Sequence, residues 1–441
     1  MIRFPLLFSR SLSTFLAIAL SGVLLLIAIG AGIAITTWNR TPADILPAES
    51  TRVLLVGETL SPFLSDFAPI QIPSALTPLV REASAHARVM TAGKETWVTF
   101  FRLHPGIRTY RDAMKLVREG NVDAQIVGRY LVWGFIPSEG ARLSADPLYR
   151  TTLRTLGSNA STLYVKRSPE GSLPLRLPLF LKEIPNDADT VGIAERGDEK
   201  EFLLSLALPA PPSPPPASSF SVLPTLLAKP AFPLLFAAEG VDSEKDLERV
   251  IALLADADPE KELLFRGAVK AQLQKFGGSG ATLTGPYTFL LRQGSGSQLE
   301  WVFVREGKDG GEIMGPPPVL IRERTLPSGV VVKDIRANPG GASDPGELTH
   351  AAKGDRTYVS NAGTFLETIL EIPPSHLSAS SQTTLHIDQA SFEGPWKDFF
   401  RDSSFLSSLR EFMGEAGSLS YSKDILGTHI RHIFRLRASS P

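Results

Sequence analysis

The sequence predicts an α+β fold behind an N-terminal transmembrane helix. Three observations lead to this prediction: a long uncharged apolar run near the N-terminus, short apolar strands arranged as antiparallel hairpins, and amphipathic helices between those hairpins. Antiparallel hairpins separated by helices favour the α+β class over a doubly wound parallel sheet. Hydrophobic residues make up 43% of the 441 residues and charged residues 21%, which allows a sizeable core and argues against wholesale disorder.

The apolar run extends from Phe15 to Ile35 and contains no charged side chain in its 21 residues. At about 1.5 Å per helical residue, it covers the roughly 30 Å of a bilayer's hydrocarbon core. We therefore expect a transmembrane helix over residues 13–37 after a cytoplasmic N-terminus at residues 1–12, with Trp38 as an interfacial aromatic. This helix makes the lipid bilayer a predicted partner. A cleaved signal peptide is the main alternative, although its apolar region is normally only about 7–15 residues long.

The charges on either side of the apolar run predict its orientation. Arg3 and Arg10 precede the run, whereas Arg40 follows it beside the acidic Asp44 and Glu49. Because the positive excess lies on the N-terminal side, we expect the N-terminus in the cytoplasm and the remaining residues outside the cell membrane.

A proline-rich stretch, Pro209 to Pro216, divides the external region. Its prolines cannot donate to a helix or a sheet ladder and favour an extended conformation, so residues 209–219 are predicted to form a linker or long loop. We therefore expect a first external α+β domain at residues 45–208 and a second at residues 220–441.

In the first domain, apolar and β-branched runs predict strands, and periodic runs with stop signals predict helices. A helix is expected to begin at Thr77, because Pro78 suits the first helical position and Leu79, Val80, Ala83 and Ala87 share one helical face. The other predicted elements are strands at Arg52–Gly57, Glu95–Leu103 and within Val122–Ile136, and a helix at Tyr110–Glu119.

The second domain repeats this alternation of hairpins and helices. The predicted helices are Ser243–Ala255, Asp258–Phe276, Thr364–Leu370, Pro395–Phe400 and Phe405–Gly414; the predicted strands are Ala281–Arg292 with Gln298–Arg305, Val319–Thr325 with Gly329–Ile335, Thr357–Ser360, Thr383–Ser391 and Thr428–Leu436. The segments Gly128–Trp133 and Gly354–Val359 both pass from glycine through arginine and tyrosine into a strand. A duplicated module would explain this similarity.

Composition excludes several kinds of chemistry. The chain contains no cysteine, so disulfides, a thiol nucleophile, cysteine-ligated zinc and iron–sulfur clusters are all excluded. An external region of this size without disulfides favours a bacterial source. The net charge of −1, without any basic block, predicts no binding of nucleic acid. No motif indicates a cofactor.

One candidate catalytic pair is Ser420 and Lys423, which match the Ser-x-x-Lys pattern of penicillin-recognising enzymes. On a helix this spacing brings a lysine within one turn of a serine nucleophile and helps to remove its proton. The other motifs of those enzymes, a Ser-Asp-Asn-like element and Lys-Thr-Gly, are missing. We therefore favour a solvated polar turn here and predict no catalytic residue, with Ser420 and Lys423 kept as candidates.

A second pair, His429 and His432, has a spacing that could suit metal ligands. The alternation of Ile430, Phe434 and Leu436 predicts a strand here, and residues three apart on a strand face opposite sides. We therefore predict no metal site.

Two segments carry a resemblance to a known class of proteins. Pro42 to Glu49 reads PADILPAE, and Tyr358 to Leu370 is predicted to be a strand followed directly by a small helix. With the apolar run, the chain resembles a class of uncharacterised bacterial single-pass membrane proteins that open their external region with a leucine-proline-alanine-acid segment. That class has no established activity, so the resemblance implies no site residues.

These observations lead to one functional hypothesis with two alternatives. We expect a non-enzymatic, membrane-anchored envelope protein whose external region binds another protein or a cell-wall component. An exported serine hydrolase using Ser420 and Lys423 is the first alternative. The second is a structural subunit of a membrane assembly, since small residues at Ala28 and Gly32 could form a helix-pairing face. The sequence does not determine the oligomeric state.

Overall fold

The structure is a computed structural model, and it describes most of the chain from Trp38 onward. The described residues are 21, 38–68, 70, 72, 74–119, 124–137, 139–157, 161–168, 170–182, 184–196, 201–210, 234–240, 246, 248, 252, 255, 258–263, 266–267, 286–294, 299–306, 319–337, 347–372, 381–392 and 404–438.

The fold is mainly antiparallel β, so the predicted α+β class is wrong. Eighteen strands are described, and every strand pair within each compact unit defined below is antiparallel. The strands are β1 Thr51–Val56, β2 Val80–Thr91, β3 Lys94–Leu103, β4 Ala124–Val127, β5 Tyr130–Trp133, β6 Ser161–Lys166, β7 Thr190–Arg196, β8 Glu201–Ala207, β9 Leu234–Gly240, β10 Tyr287–Gln293, β11 Leu299–Glu306, β12 Val319–Thr325, β13 Val331–Ala337, β14 Glu347–Lys353, β15 Arg356–Ser360, β16 Ser381–Asp388, β17 Ala416–Leu426 and β18 His429–Ala438.

The described α-helices with complete bounds are short. They are α1 Pro42–Ile45, α2 Ile107–Arg118, α3 Pro147–Leu156, α4 Gly363–Leu370 and α5 Ser404–Met413, and 3₁₀ turns lie at Ser61–Phe63, Leu143–Ala145, Leu179–Leu181 and Gln389–Phe392. Among the residues that the structure describes, no helix is both long enough and apolar enough to cross a bilayer. The predicted transmembrane segment at residues 13–37 lies outside the described residues except for Ser21.

The chain forms two compact units, which divide it near residue 150. Unit 1 comprises Met1–Glu58 and Phe67–Arg150, and unit 2 comprises Thr59–Asp66 and Thr151–Pro441. The predicted boundary lay instead at the proline-rich stretch, of which residues 211–219 lie outside the described part. The linker role of that stretch stays a prediction.

Unit 1 contains a five-stranded sheet with the order β1-β2-β3-β5-β4. Helix α2 packs on this sheet through Ala113, Leu116 and Val117. These side chains meet a core that includes Phe101 and Leu131, both completely buried. The helix was predicted at Tyr110–Glu119 and is observed slightly earlier, at Ile107–Arg118.

The predicted helix after Thr77 is wrong, because most of that segment forms the twelve-residue strand β2. Three completely buried residues, Ala85, Ala87 and Val89, are spaced two apart. This spacing is the period of a strand. Alanine has low intrinsic β propensity, so the local signal favoured a helix. Pairing with β1 on one side and β3 on the other overrides that preference.

Unit 2 contains thirteen strands, which pair in the order β6-β7-β8-β18-β17-β16-β9-β10-β11-β15-β14-β13-β12. Helix α4 covers one part of this sheet with Phe365, Leu366, Ile369 and Leu370, all fully or nearly fully buried. Four such side chains contribute roughly 6–12 kcal/mol of hydrophobic stabilisation before the entropy cost of ordering them.

The two segments with similar sequences occupy the same kind of turn. Gly128 and Gly354 both have positive φ, 58° and 67°, and each begins a two-residue connection between antiparallel strands. Glycine adopts this conformation without steric cost, which explains its presence at both turns. The duplication of a larger module stays a prediction.

The C-terminal part of α3 lies directly on Gly192 of β7. A Cβ atom at Gly192 would come within 2.4 Å of Thr152 Cγ2 and 2.9 Å of Leu156 Cδ1. The missing side chain therefore allows the helix to approach the sheet, where Leu156 packs with Ala194, Leu203 and Ile433.

We predict that Gly192→Ala lowers the free energy of unfolding by about 1–3 kcal/mol, because the added methyl group overpacks this contact. Chemical denaturation of the full chain measures the change. Gly267→Ala is the matched control, since this helical glycine has nothing within 4 Å of the added Cβ. The control is expected to be neutral or up to about 1 kcal/mol more stable. Equal effects of the two substitutions would contradict the packing argument.

Candidate functional site

The predicted catalytic pair lies on strand β17, which separates its two members. Ser420 and Lys423 are three residues apart on an extended strand, so their side chains point to opposite faces of the sheet. In register, Ser420 lies opposite Arg435 of β18, and Lys423 lies opposite His432. The spacing that would unite serine and lysine on a helix therefore separates them here.

The Ser420 hydroxyl has a histidine partner instead of the lysine. His386 Nδ1 lies 3.2 Å from Ser420 Oγ across the β16–β17 pair. His386 is buried, and burial is the main cause that lowers the pKa of its imidazole. A neutral imidazole can accept a proton from serine. The carboxylate of Asp388 acts on His386 electrostatically, but the described hydrogen bond of His386 is to Ser420 and none to a carboxylate is described that would orient the ring as in a catalytic triad.

The strand predicted at Thr428–Leu436 is confirmed as β18, and strand alternation places His429 and His432 on opposite faces. His429 and His432 both lie on β18, and both are buried. Within the described residues, no group of three or more histidine, aspartate or glutamate side chains could hold a metal ion. The pair does not share an ion because its two rings lie on different sides of the sheet.

His432 is the most strongly perturbed of these groups. Its Nδ1 lies 2.9 Å from the hydroxyl of Tyr421, whose ring stacks on the imidazole at a centroid distance of 5.9 Å. Burial, assisted by the positive charge of Lys423, lowers the pKa of His432 to about 3. The imidazole is therefore neutral at physiological pH and serves as a hydrogen-bonding member of the core.

Asp258 caps a helix at the residue where the sequence predicted a helix to begin. Asp258 Oδ1 accepts hydrogen bonds from the backbone N–H groups of Glu260 at 3.0 Å and Lys261 at 3.4 Å. Capping satisfies donors at the beginning of the helix that have no partner within it. These contacts give Asp258 a structural role.

An exposed apolar surface lies on the hairpin of β12 and β13. We use the name hairpin surface for Leu320, Ile321 and Val331, whose side chains are 56%, 51% and 44% exposed. Leu320 points to one face of the sheet, whereas Ile321 and Val331 point to the other. Within the described part of the chain, β12 pairs with β13 only. This strand therefore offers apolar side chains on both faces beside an outer edge.

A charged cluster attaches the hairpin to helix α4. Arg324 Nε donates to Asp334 Oδ2 at 2.9 Å, and its Nη1 donates to Glu367 of the helix. Thr349 donates to the other oxygen of Asp334 at 3.2 Å. The hydrogen bond to Asp334, above all, raises the pKa of Arg324. The hairpin surface is thus presented by a strand pair with a fixed position on its helix.

The sequence pattern predicted this hairpin but not its exposed apolar surface. Val319–Thr325 and Gly329–Ile335 were predicted as paired strands, and the structure confirms them as β12 and β13. The signal that could have indicated exposure is the adjacent pair Leu320 and Ile321, because consecutive apolar residues cannot share one face of a strand. Which strands lie beside β12 is a non-local property that the sequence pattern did not reveal.

Comparisons with family models, with curated proteins and with solved structures found no match to this chain.

We predict that the protein loses stability as the pH falls below about 6.5, partly because of His432. The pKa of His432 is about 3 in the folded chain, below its ordinary value of 6.5. At pH values between these two, the unfolded chain binds a proton at His432 and the folded chain does not, so a lower pH favours unfolding. This group alone removes about 2 kcal/mol between pH 7.5 and pH 5. Urea denaturation at the two pH values measures the loss.

His432→Phe supplies the comparison for that measurement, since phenylalanine fills a similar volume and does not titrate. The variant is expected to show a smaller loss between the two pH values, whatever its absolute stability. An identical loss in both proteins would mean that His432 does not bind a proton differently in the folded and unfolded chains.

Proposed function

We propose that this chain is a membrane-anchored, extracytoplasmic protein that binds another envelope protein and has no catalytic activity. The uncharged run from Phe15 to Ile35 and the arginines before it support the anchor and its orientation. Resemblance of the Pro42–Glu49 segment to bacterial single-pass proteins is consistent with this location.

The hairpin surface is the observation that carries the proposed binding function. Exposed apolar side chains on a sheet edge favour association with a further strand, because the backbone groups of that edge can form another ladder. The apolar side chains on both faces of β12 would then be covered by side chains of the added strand. The ionic contacts of Arg324 keep this edge in place before a partner arrives.

The occupant that fits this surface is an extended segment of a different protein. Arg322 is exposed in the middle of β12, so an acidic side chain on the added strand would complement it. Antiparallel self-pairing centred on Arg322 would place two arginines opposite each other, whereas a register centred between Arg322 and Glu323 would pair each arginine with a glutamate. Capture of a second copy of the chain at this edge would therefore contradict the proposal of a different protein as the occupant.

We predict that a photo-crosslinking amino acid at Ile321 captures one discrete protein in intact cells. The same amino acid at Leu263, a helical residue that is 74% exposed, is the control for unspecific capture. The captured protein, once purified, is then expected to bind the wild-type full chain. It is expected to bind the Ile321→Lys variant at least about tenfold more weakly, because a charged lysine replaces an apolar contact. Capture of cell-wall glycan, or equal capture from both positions, would contradict the proposal.

A separate prediction concerns the anchor. The full chain is expected to remain with membranes through washes at high salt and high pH, since burial of the apolar run does not depend on charge. A chain without residues 1–37 is expected in the supernatant. Retention of the shortened chain on washed membranes would show that other residues provide the attachment.

A further inference from the structure

We propose that the exposed side of helix α2 docks on the anionic headgroup layer of the membrane that holds the apolar run. The contacting side chains are Trp38, Tyr110, Ile107, Arg108 and Arg111, which we call the α2 membrane face. The proposal depends on the membrane attachment proposed above and adds the orientation of unit 1 on the bilayer.

Helix α2 lies close to the residues that follow the apolar run. The ring of Trp38 lies against the ring of Tyr110, with centroids 6.2 Å apart. Trp38 is only three residues beyond Ile35, so the chain can separate them by at most about 11 Å. The N-terminal end of α2 is therefore held close to the point where the chain leaves the hydrocarbon core.

The outward side of α2 carries a positive excess. Four exposed cations fall within about 80° of the helix circumference: Arg108, Arg111, Lys115 and Arg118. The exposed acids Asp112 and Glu119 lie beside them, and Glu119 pairs with Lys115 at 3.8 Å, so four positive and two negative side chains leave a net charge of +2. Ala113, at the opposite side of the helix, is completely buried. The whole chain has a net charge of −1, so this local positive excess favours anionic lipids.

An exposed apolar residue lies beside these cations. Ile107 is 87% exposed at the beginning of α2. Trp38 and Tyr110 are also partly exposed, and both are residue types that concentrate at membrane interfaces. Aromatic rings, an aliphatic side chain and arginines together match a headgroup layer, in which apolar groups enter the acyl boundary and cations meet phosphate.

The test uses the absence of cysteine from the chain. Ile107→Cys in the full chain carries an environment-sensitive fluorophore, and the protein is reconstituted in vesicles of phosphatidylcholine and phosphatidylglycerol that contain spin-labelled lipid. Lys94→Cys is the matched control, because this exposed residue begins β3 about 30 Å along the strand from the end that leads to α2. We expect strong quenching at position 107 and little at position 94.

Charge dependence provides the second measurement. Replacing Arg108 and Arg111 together by glutamine is expected to reduce the ratio of docked to undocked protein roughly 25-fold, and quenching at position 107 should fall accordingly. Salt near 1 M, where the screening length is about 3 Å, should have a similar effect. Vesicles of phosphatidylcholine alone should give weak quenching.

The outcomes separate this proposal from the proposed anchor. Protein that floats with the vesicles but is unquenched at position 107 would overturn the docking and leave the anchor intact. Protein that does not float would overturn both. Three results would overturn the docking of α2 on lipid. The first is equal quenching at positions 107 and 94, and the second is equal quenching in neutral and anionic vesicles. The third is a spectral change at position 107 that requires added envelope protein.

Discussion

The antiparallel backbone ladder is the interaction on which the rest of unit 2 depends. Thirteen strands pair in one unbroken order, and each interior strand exchanges hydrogen bonds with a neighbour on both sides. Buried N–H and C=O groups without partners would each be costly, so the ladder determines which segments can be buried at all. Helices α3 and α4 then cover apolar side chains of strands that are already fully paired.

Burial in this ladder also determines the chemistry of its polar side chains. His432 and His386 are held neutral because a protonated imidazole would be poorly solvated between strands. Ser420 and Lys423 belong to the same strand pairs, and the pleat of β17 turns them to opposite faces. Residue types that suggest catalysis in a sequence therefore act here as hydrogen-bonding and packing groups of a sheet.

Exposed apolar side chains occur at several places in both units, and in two of these places they lie beside arginines. In unit 2 they lie on β12, which pairs with β13 alone within the described residues and is fixed to α4 through Arg324. In unit 1 they lie at the beginning of α2, beside Trp38. Both surfaces combine apolar side chains with arginines, and they differ in surroundings: one adjoins a strand edge, and the other adjoins the exit of the apolar run.

The sequence by itself determined the apolar run, the position of most strands, and the beginning of the helix at Asp258, because these depend on neighbours within a few residues. Only the tertiary structure decided that the segment after Thr77 forms β2 and that Ser420 faces His386. The division between the compact units, near residue 150, was likewise visible only in the tertiary structure. The physical reason is that strand pairing joins residues far apart in the chain. Local propensity carries no information about which strand, if any, will lie alongside.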